Sequence, residues 1–438
     1  MIAVHLLPRR PLTLVALAAA CCALPVPAAQ AAETVPGELV VKREGEPARV
    51  VTGVEDVSRT VARLRRDDDV AYAAPNPIAR AAQAPGFIPN DPGTGRGWQD
   101  VQWNFAGPWG INAPVAWQRA IDAGRPGARG VRIAVLDSGA AYSNRGPYKR
   151  SPDLNRTRFV PGYDFVDRDP YPSDENGHGT HVTSTLAEST NNGRWLTGVA
   201  YNAEIMPVRV LDRNGEGDAA RIAKAVRWAV RRDADLINLS LEFGTEVGAR
   251  DIPSLLDALA YARRRGVLVV GAAGNEGERV IAFPARSANV FAIGATTEHG
   301  CLSDFSNLGS GLDLVAPGGG TDAVNNDPNC QPDATPGRPI FQITLDGGSI
   351  RRFGLPATYE GTSMAAPHVT GVAALIIATG VIGPNPTPAQ LIDRLEGTAR
   401  DLGQPGPDRR YGAGLLDAAA ATDPAAPVAR PSHRKRRP

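Results

Sequence analysis

Short apolar runs that alternate with helical patterns are the feature that most restricts the folds open to this chain. The runs are rich in Val, Ile and Leu and are bounded by Gly, Pro or polar residues, as expected of strands buried on both faces. The runs are VRIAVLD, IMPVRVL, DLINLSL, GVLVVGAAG, VFAIGAT and LDLVAPG; the helical patterns are DAARIAKAVRWAVRR, IPSLLDALAYARRR and TPAQLIDRLEGTA. Strands interleaved with helices predict an α/β fold with a parallel sheet covered on both faces. Reactive side chains are then expected at the carboxyl ends of the strands.

Composition excludes some classes of partner. The chain has 438 residues, 42% of them hydrophobic, and a formal net charge of +1. A chain of this size buries a large core, and its balanced charge gives no general attraction to nucleic acid. We therefore expect a globular protein that binds no nucleic acid.

The N-terminus has the pattern of a secretory signal. Arg9 and Arg10 precede the apolar run PLTLVALAAACCALPV, and Ala29 and Ala31 fit the small-residue rule of a cleavage site. The run is too short and too rich in Ala for a membrane span, so we predict a signal peptide over residues 1–31 and no transmembrane segment. The exported protein is expected to be secreted, with retention at the cell envelope as the alternative.

After the signal, composition divides the chain into three parts. Residues 32–84 hold a strand, helix and strand pattern and end in a linker rich in Pro and Ala, which indicates a small separate domain. Residues 85–422 form the main body, with the alternating pattern. Residues 423–438 form a basic tail that ends in RPSHRKRRP, either a solvated end, which is favoured, or a means of retention on an anionic envelope.

Cys301 and Cys330 are the only cysteines beyond the predicted signal. An even number in an exported protein predicts a disulfide, and the segment between them reads as a loop that a bridge would restrain. The alternative is two unrelated free thiols, because sequence does not report distance.

The stretch EGTSMAAPHVTGVAAL reads as the start of a buried helix and places Ser363 near that start. Serine has an ordinary role there, because its hydroxyl caps the free N–H groups of a first helical turn. The alternative is a nucleophile, since the positive end of a helix favours developing negative charge. The stretch alone favours the cap, and the decision depends on a base and a carboxylate elsewhere.

Asp137 and His178 are the candidate carboxylate and base. Asp137 ends the run VRIAVLD at the tip of a predicted strand, where capping the next turn is the alternative role. His178 stands between Gly177 and Gly179 at a predicted helix start, and we expect the glycines to leave room for a substrate backbone. A surface histidine is the alternative there, and His181, one turn later, is expected to be structural.

These residues together meet the needs of nucleophilic catalysis. A serine hydroxyl is a poor nucleophile until an imidazole accepts its proton, and a buried carboxylate holds that imidazole in the right tautomer. Asp137, His178 and Ser363 supply the three groups. The oxyanion would be bound by the Ser363 backbone N–H and the side chain of Asn275 in GAAGNEG, which is otherwise an ordinary turn residue.

Four motifs in chain order make the sequence resemble the subtilisin-like serine proteases, or subtilases. They are AVLDSG around Asp137, NGHGTHV around His178, AAGNEG around Asn275 and EGTSMAAPHVTGVAAL around Ser363. The resemblance implies a three-layer fold with a central, mainly parallel sheet. It also implies endopeptidase activity through an acyl-enzyme, with polypeptide substrates and no cofactor required for the chemistry.

The resemblance also gives residues 32–84 a role, because subtilases are commonly made with a propeptide that assists folding and then blocks the cleft. The unit would be an intramolecular inhibitor, and the chain would cut itself in the linker between Ala81 and Asn90. We expect a monomer with this propeptide as its first partner.

Substrate binding is carried over from the family only in part. Subtilases pair an extended substrate with an edge segment that here departs from the family's small residues at Glu242 and Phe243. Glu276, beside Asn275, would stand at the mouth of a specificity pocket and tolerate cationic side chains there, or would be a solvated charge. The candidate substrate-binding residues are Ser240, Leu241, Glu242, Gly244 and Glu276.

Metal binding stays open at this point. Subtilases often hold structural calcium, and Asp153 in SPDL matches a position that often binds it. The acidic stretch DFVDRDPYPSDEN offers oxygen ligands, but such stretches are more often only solvated. The metal ligands are therefore unknown, and calcium and no metal are equal alternatives.

Two other classes of function compete with a protease. A catalytically silent peptide-binding relative would keep the cleft and lose part of the trio, whereas Asp137, His178, Asn275 and Ser363 are all present. A polyanion-binding protein would depend on the basic tail, which is a small part of the chain. A secreted serine endopeptidase, made as a precursor that processes itself, is the function we predict.

Overall fold

In a computed structural model, the described residues are 34–77, 86–323, 330 and 336–427. The chain separates into two compact units, Met1–Gln83 and Ala84–Pro438. The predicted signal, residues 78–85 of the linker and the basic residues from 428 onward lie outside the described residues. The roles predicted for residues 1–31, 32–84 and 423–438 therefore stay predictions.

The smaller unit is an antiparallel sheet with one helix. The predicted pattern of strand, helix and strand is present, and a three-residue strand adds to it at the sheet edge, in the order β2-β1-β3. Residues Leu39, Val41, Val61 and Ala73 form its core. Its elements are β1 (Thr34–Arg43), β2 (Arg49–Val51), α1 (Val57–Leu64) and β3 (Val70–Pro77).

The larger unit is built on the predicted parallel sheet. Its strands are β4 (Arg132–Asp137), β5 (Arg158–Phe159), β6 (Tyr163–Asp164), β7 (Glu204–Arg209), β8 (Leu236–Leu239), β9 (Leu268–Ala272), β10 (Phe291–Thr296) and β11 (Leu314–Pro317). The order is β11-β10-β9-β8-β4-β7-β5, with β6 also on β7, and every pair is parallel. Every apolar run identified in the sequence forms one of these strands. The two-residue strands β5 and β6 were not predicted, because such short pieces carry no periodicity.

Helices cover both faces of this sheet. They are α2 (Trp98–Val101), α3 (Trp103–Ala106), α4 (Ala113–Asp122), α5 (His178–Ala187), α6 (Ala219–Val230), α7 (Pro253–Arg264), α8 (Thr362–Thr379), α9 (Pro388–Gly397) and α10 (Ala418–Ala421), with a 3₁₀ turn at Pro126–Ala128. In β4, Ile133 and Val135 face the core that contains α4, α5 and α8, whereas Ala134 and Leu136 face the core that contains α6 and α7. Successive side chains of a strand point to opposite faces, so an unbroken apolar run supplies both cores. The structure confirms the predicted three-layer α/β fold.

A hairpin formed by β12 (Thr344–Asp346) and β13 (Ser349–Gly354) stands outside the central sheet. Its two-residue turn, Gly347 and Gly348, has positive φ angles of 56° and 66°. Hairpin turns of this kind favour Gly-Gly because both positions are left-handed. The Gly-Gly pair in the sequence is therefore a signal for this hairpin.

A disulfide joins Cys301 and Cys330, as predicted, and closes a sequence separation of 29 residues. The alternative of two free thiols is therefore wrong.

Within the described residues, one helix, α8, is long and apolar enough to cross a membrane, and 83% of its 18 residues are buried inside the protein. Asp423, which the sequence pattern places in the tail, pairs with Arg119 at 2.8 Å, so the folded body extends past residue 422.

Candidate active site

The predicted carboxylate and imidazole meet at the carboxyl end of β4. Asp137 is the last residue of β4 and its side chain is completely buried. His178, the first residue of α5, places Nδ1 2.8 Å from Oδ1 of Asp137. The same Oδ1 accepts from the backbone N–H of Ser138 at 2.7 Å, so Asp137 caps its own turn as well as binding the imidazole. The other ring nitrogen of His178, Nε2, is left for a different partner.

The charge on Asp137 governs the protonation of His178. Burial by itself lowers the pKa of the imidazole, but the charge and hydrogen bond of Asp137, with a further contribution from the charge of Asp174, outweigh it and raise the pKa above its ordinary value. The side chain of His178 keeps 24% of its surface exposed. An imidazole of raised basicity with one accessible edge is suited to accept a proton from a substrate or a neighbouring hydroxyl.

Asp174 is a site residue that the sequence analysis missed. Its buried carboxylate accepts from the backbone N–H groups of Gly177 (2.9 Å) and Thr180 (2.8 Å) at the start of α5, and from the hydroxyl of Ser138 (2.9 Å). It therefore ties the first turn of α5 to the residue that follows Asp137. A signal was present, since a carboxylate just before a helix start favours the free N–H groups of the first turn.

The glycines beside His178 allow other parts of the chain to approach α5 closely. A Cβ atom on Gly179 would lie 2.1 Å from the carbonyl oxygen of Gly139 and 3.1 Å from Oδ1 of Asp137. A Cβ on Gly177 would lie 2.9 Å from the hydroxyl of Tyr359. These glycines therefore let α5 approach the β4 turn and the chain around Tyr359, and the expectation that they leave room for a substrate stays a prediction.

Ser363 is not the cap of its helix. The N-cap of α8 is Gly361, and Ser363 is the second helical residue. Its hydroxyl donates to the carbonyl of Ser240 at 3.3 Å, and no hydrogen bond joins it to His178 in the part of the chain that the structure describes. The cap explanation is therefore wrong. As an early residue of α8, Ser363 keeps a backbone N–H that lacks a partner within the helix.

A chain of hydrogen bonds fixes the strand β8 to the start of α8. The hydroxyl of Ser240 donates to the carbonyl of Ser363 at 2.7 Å and accepts from the amide of Asn238 at 2.9 Å. Asn238 in turn accepts from the hydroxyl of Thr370 at 2.8 Å. Asn238 was not singled out from the sequence, although a polar residue inside an apolar run was a usable signal. The segment that begins at Ser240 therefore lies directly beside the candidate nucleophile.

Asn275 is oriented from one side by α8 and held on the other by a carboxylate. Its Oδ1 accepts from the backbone N–H of Thr362 at 2.8 Å and from the Thr362 hydroxyl at 3.0 Å. Its Nδ2 donates to Oε1 of Glu242 at 2.8 Å. The loop after β9 thus brings Asn275 to the start of the serine helix, with its amide N–H₂ group facing the 240–244 segment.

The predicted substrate-binding residues differ in how far they are buried. Ser240 and Leu241 are buried, Glu242 is half-buried, and Gly244 and Glu276 are exposed. Burial, with added repulsion from Glu276, raises the pKa of the Glu242 carboxyl. Glu276 accepts from the amide of Asn307 at 2.5 Å. These side chains lie around the loop of Asn275.

The other described histidines of the core are structural groups. His181 stacks on Tyr359 with ring centroids 4.2 Å apart, and burial lowers its pKa to about 3. His368 bonds through Nδ1 to the carbonyl of Met364 and through Nε2 to the amide of Asn104, both at 2.8 Å, and burial lowers its pKa to about 4. Both rings are neutral near pH 7.

Buried carboxylates surround the loop that follows α5. Asp153 accepts from the amide of Asn192 at 2.7 Å and from the N–H of Leu196 at 3.0 Å. Asp91 accepts from the N–H of Asn192 at 2.9 Å. Glu188 is fully buried, and its Oε2 has no partner among the described residues. Burial, with added repulsion from Asp91, raises the pKa of Asp153 to about 7.

Carboxylate oxygens are of the type that calcium binds, and the unpartnered Oε2 of the buried Glu188 fits such an ion. Within the described ranges, however, no group of three or more His, Cys, Asp or Glu side chains is arranged as a metal site. The ligands would therefore have to include backbone or amide oxygens of the loop.

The fold and site define an α/β protein whose buried carboxylate, imidazole and helix-start serine stand at the carboxyl edge of a doubly covered parallel sheet. The model of the subtilase family matches residues 128–414. Subtilisin Savinase of Lederbergia lenta is 38% identical over 319 residues, which cover 72% of this chain and 98% of that protein. Alkaline elastase YaB of Bacillus sp. (strain YaB) is 37% identical over 318 residues, which cover 72% of this chain and 70% of that protein.

Solved structures agree with the sequence comparisons. One described as proteases from Pseudoalteromonas arctica PAMC 21717 superposes with a TM-score of 0.62 at 32% identity, and covers 76% of this chain and 98% of that chain. The chain belongs to the subtilase family and is a serine-type endopeptidase. The resemblance drawn from the four motifs is thereby confirmed.

Proposed function

We propose that Ser363, His178 and Asp137 form the catalytic triad of this endopeptidase and that the protein acts outside the cell. The observation that carries the proposal is the 2.8 Å hydrogen bond between Nδ1 of His178 and the completely buried Asp137. It holds the imidazole in the tautomer whose Nε2 is free to accept a proton. No cofactor is needed for this chemistry.

The reaction begins when the Ser363 hydroxyl turns from the Ser240 carbonyl to Nε2 of His178. The imidazole accepts the proton as the serine oxygen attacks the peptide carbonyl, and Asp137 stabilises the imidazolium. The backbone N–H of Ser363 and the Nδ2 group of Asn275 donate to the oxyanion of the tetrahedral intermediate. His178 then gives its proton to the leaving amine, and water hydrolyses the acyl-enzyme by the same steps.

Polypeptide substrates would bind as an extended strand along residues 240–244. The bond from the Ser240 hydroxyl to the Ser363 carbonyl keeps that segment beside the nucleophile. Backbone hydrogen bonds of a β-addition would supply affinity independent of sequence, and the side chains around Asn275 would supply selectivity. Ser240, Leu241, Glu242, Gly244 and Glu276 are the residues proposed for these contacts.

We further propose that the chain is a secreted precursor. Residues 1–31 would direct export, and residues 32–84 would be a propeptide that inhibits the enzyme until it cuts its own linker. The mature protein would act as a monomer, either released or retained at the envelope by its basic tail. The compact separate unit that contains residues 34–77 supports this organisation.

Structural calcium is a separate proposal. Asp91 and Asp153 would hold the ion beside the loop that follows α5, where it would offset the mutual repulsion of buried carboxylates. It takes no part in the reaction. Addition of EDTA to Ser363→Ala protein should lower Tm, and calcium should restore it more fully than magnesium does. A Tm that responds to neither treatment would rule the ion out.

Activity on casein, with and without a covalent serine-directed inhibitor, tests the proposed triad. Ser363→Ala should abolish turnover and inhibitor labelling, and Asp137→Asn should lower kcat by about 10⁴ because the imidazole takes the wrong tautomer. Circular dichroism and Tm serve as the folding control. Undiminished turnover in the Ser363 variant would remove the triad, and a folded wild type without activity would instead favour a silent peptide-binding relative.

A further inference from the structure

The carboxylate of Glu242 is hydrogen-bonded to Asn275, the candidate oxyanion donor, and the proposed mechanism gives it no role. Its Oε1 accepts from Nδ2 of Asn275 at 2.8 Å, and its Oε2 is buried without a hydrogen-bond partner among the described residues. A buried oxygen left without a donor costs free energy, so the arrangement calls for an explanation in function. The resemblance to subtilases implies a small residue at this position, and Glu242 departs from it.

A second carboxylate converges on the same space. An ideal Cβ built on Gly274 would lie 2.8 Å from Oε2 of Glu242 and 2.9 Å from Oε2 of Glu276. Glu276 is exposed and Glu242 is half-buried, so the pair extends from the solvent to Asn275. Glu276 is bonded to Asn307, but no described cation pairs with Glu242.

The position of Glu242 matters because of what Asn275 is proposed to bind. The oxyanion and Oε1 of Glu242 would both accept from one amide N–H₂ group, which places the two negative charges within about 5 Å of each other. Repulsion at that distance in a partly buried site opposes formation of the tetrahedral intermediate. A substrate that brings a positive charge to Glu242 removes this repulsion.

We propose that Glu242 is a specificity-determining residue that suppresses hydrolysis of substrates with a neutral side chain beside the scissile bond and favours those with Arg or Lys there. The cationic group pairs with Oε2 of Glu242 and with Glu276, and so neutralises the charge beside the oxyanion donor. Because the repulsion arises in the transition state, the effect falls on kcat as well as on KM. This inference rests on the proposed function of Asn275 and Ser363.

Peptide substrates that differ only in Arg or citrulline before the scissile bond provide the test, since citrulline has the shape of Arg without its charge. Wild type should favour Arg by about tenfold or more in kcat/KM. Glu242→Gln keeps an acceptor for Asn275 but loses the charge, so it should raise kcat for citrulline and lower kcat/KM for Arg. Glu276→Gln should mainly raise KM for Arg.

Glu278→Gln, a change of an exposed charge two residues further along the same loop, is the matched control and should leave the Arg-to-citrulline ratio unchanged. Equal kcat/KM for the two substrates in wild type would overturn the inference, whether or not the variants fold. A ratio that Glu242→Gln leaves unaltered would do so too. Wild type that cleaves neither peptide nor casein would overturn the proposed function itself, which separates the two failures.

Discussion

The backbone N–H of Thr362, the first residue of α8, lies 2.8 Å from Oδ1 of Asn275. This contact joins the helix that carries Ser363 to the loop after β9. It also orients the amide, because an Oδ1 bound to Thr362 leaves Nδ2 directed at Glu242. The candidate nucleophile and the candidate oxyanion donor are therefore positioned by one structural unit.

The first prediction concerns Asn275. Asn275→Ala should lower kcat by about 10² to 10³, the loss typical of one oxyanion donor, with little change in KM. The reason is that Nδ2 acts on charge that develops only after attack. Steady-state kinetics on a peptide with Arg before the scissile bond measures both constants. An increase in KM at constant kcat would mean that Asn275 binds substrate in the ground state instead.

The pH dependence of activity follows from the raised pKa of His178. The imidazole must be neutral to act as a base, so kcat/KM should fall as the pH drops through a value above the ordinary 6.5. Asp174→Asn removes one of the charges that raise this pKa, so the acidic limb of the profile of kcat/KM against pH should move to lower pH. Asp122→Asn, an exposed change in α4, is the control. A limb that stays in place or moves upward in Asp174→Asn contradicts the prediction.

Acid should destabilise the fold through His368. Burial lowers its folded pKa from 6.5 to about 4, so the unfolded chain binds the proton more readily. The contribution of this group is fully present above pH 6.5 and is lost as the pH falls towards 4. Urea unfolding of Ser363→Ala protein, which avoids self-digestion, should show this decline. Adding His368→Gln should lower the free energy of unfolding at neutral pH and make its decline with falling pH less steep. An equally steep decline in this variant would mean that other groups cause the loss of stability.

The disulfide should stabilise the main body. Closing the loop between Cys301 and Cys330 contributes about 3 to 4 kcal/mol in the chain-entropy model. A reductant should therefore lower the free energy of unfolding of Ser363→Ala protein, and the Cys301→Ser/Cys330→Ser variant should be insensitive to it. Mass mapping of the unreduced protein should recover the linked peptides. Two thiols open to alkylation in exported protein would contradict the bridge.

The proposed self-processing would link Ser363 to the linker. In a host without other proteases, Ser363→Ala should accumulate with its N-terminus near Ala32, whereas wild type should lose the first unit. The cut should fall between Ala81 and Gly86, since the backbone N–H of Phe87 already bonds to Pro114 at 2.9 Å within the main body. N-terminal sequencing decides the point. Normal maturation of the variant would mean that another protease makes the cut.

The sequence by itself determined the layers of the fold and the candidates for the reactive residues. Unbroken apolar runs such as VRIAVLD predicted buried parallel strands, because a strand covered on both faces has no polar side. The motifs around Asp137, His178, Asn275 and Ser363 are short and contiguous, so they can be recognised from the sequence alone. Strands of two or three residues, such as β2 and β5, could not be predicted because they are too short to show a hydrophobic periodicity.

Only the tertiary structure decided how distant residues divide their roles. Asp174 and Asn238 act through hydrogen bonds to residues brought close by the sheet, and neither stands in a motif that reveals those partners. The glycines beside His178 are needed for close contact with Gly139 and Tyr359, which are far away along the chain. The sequence marked Glu242 as a departure from a pattern, but its place against Asn275 depends on two loops that meet at one sheet edge. Contacts between distant residues depend on the packing of whole elements, and local sequence carries no record of them.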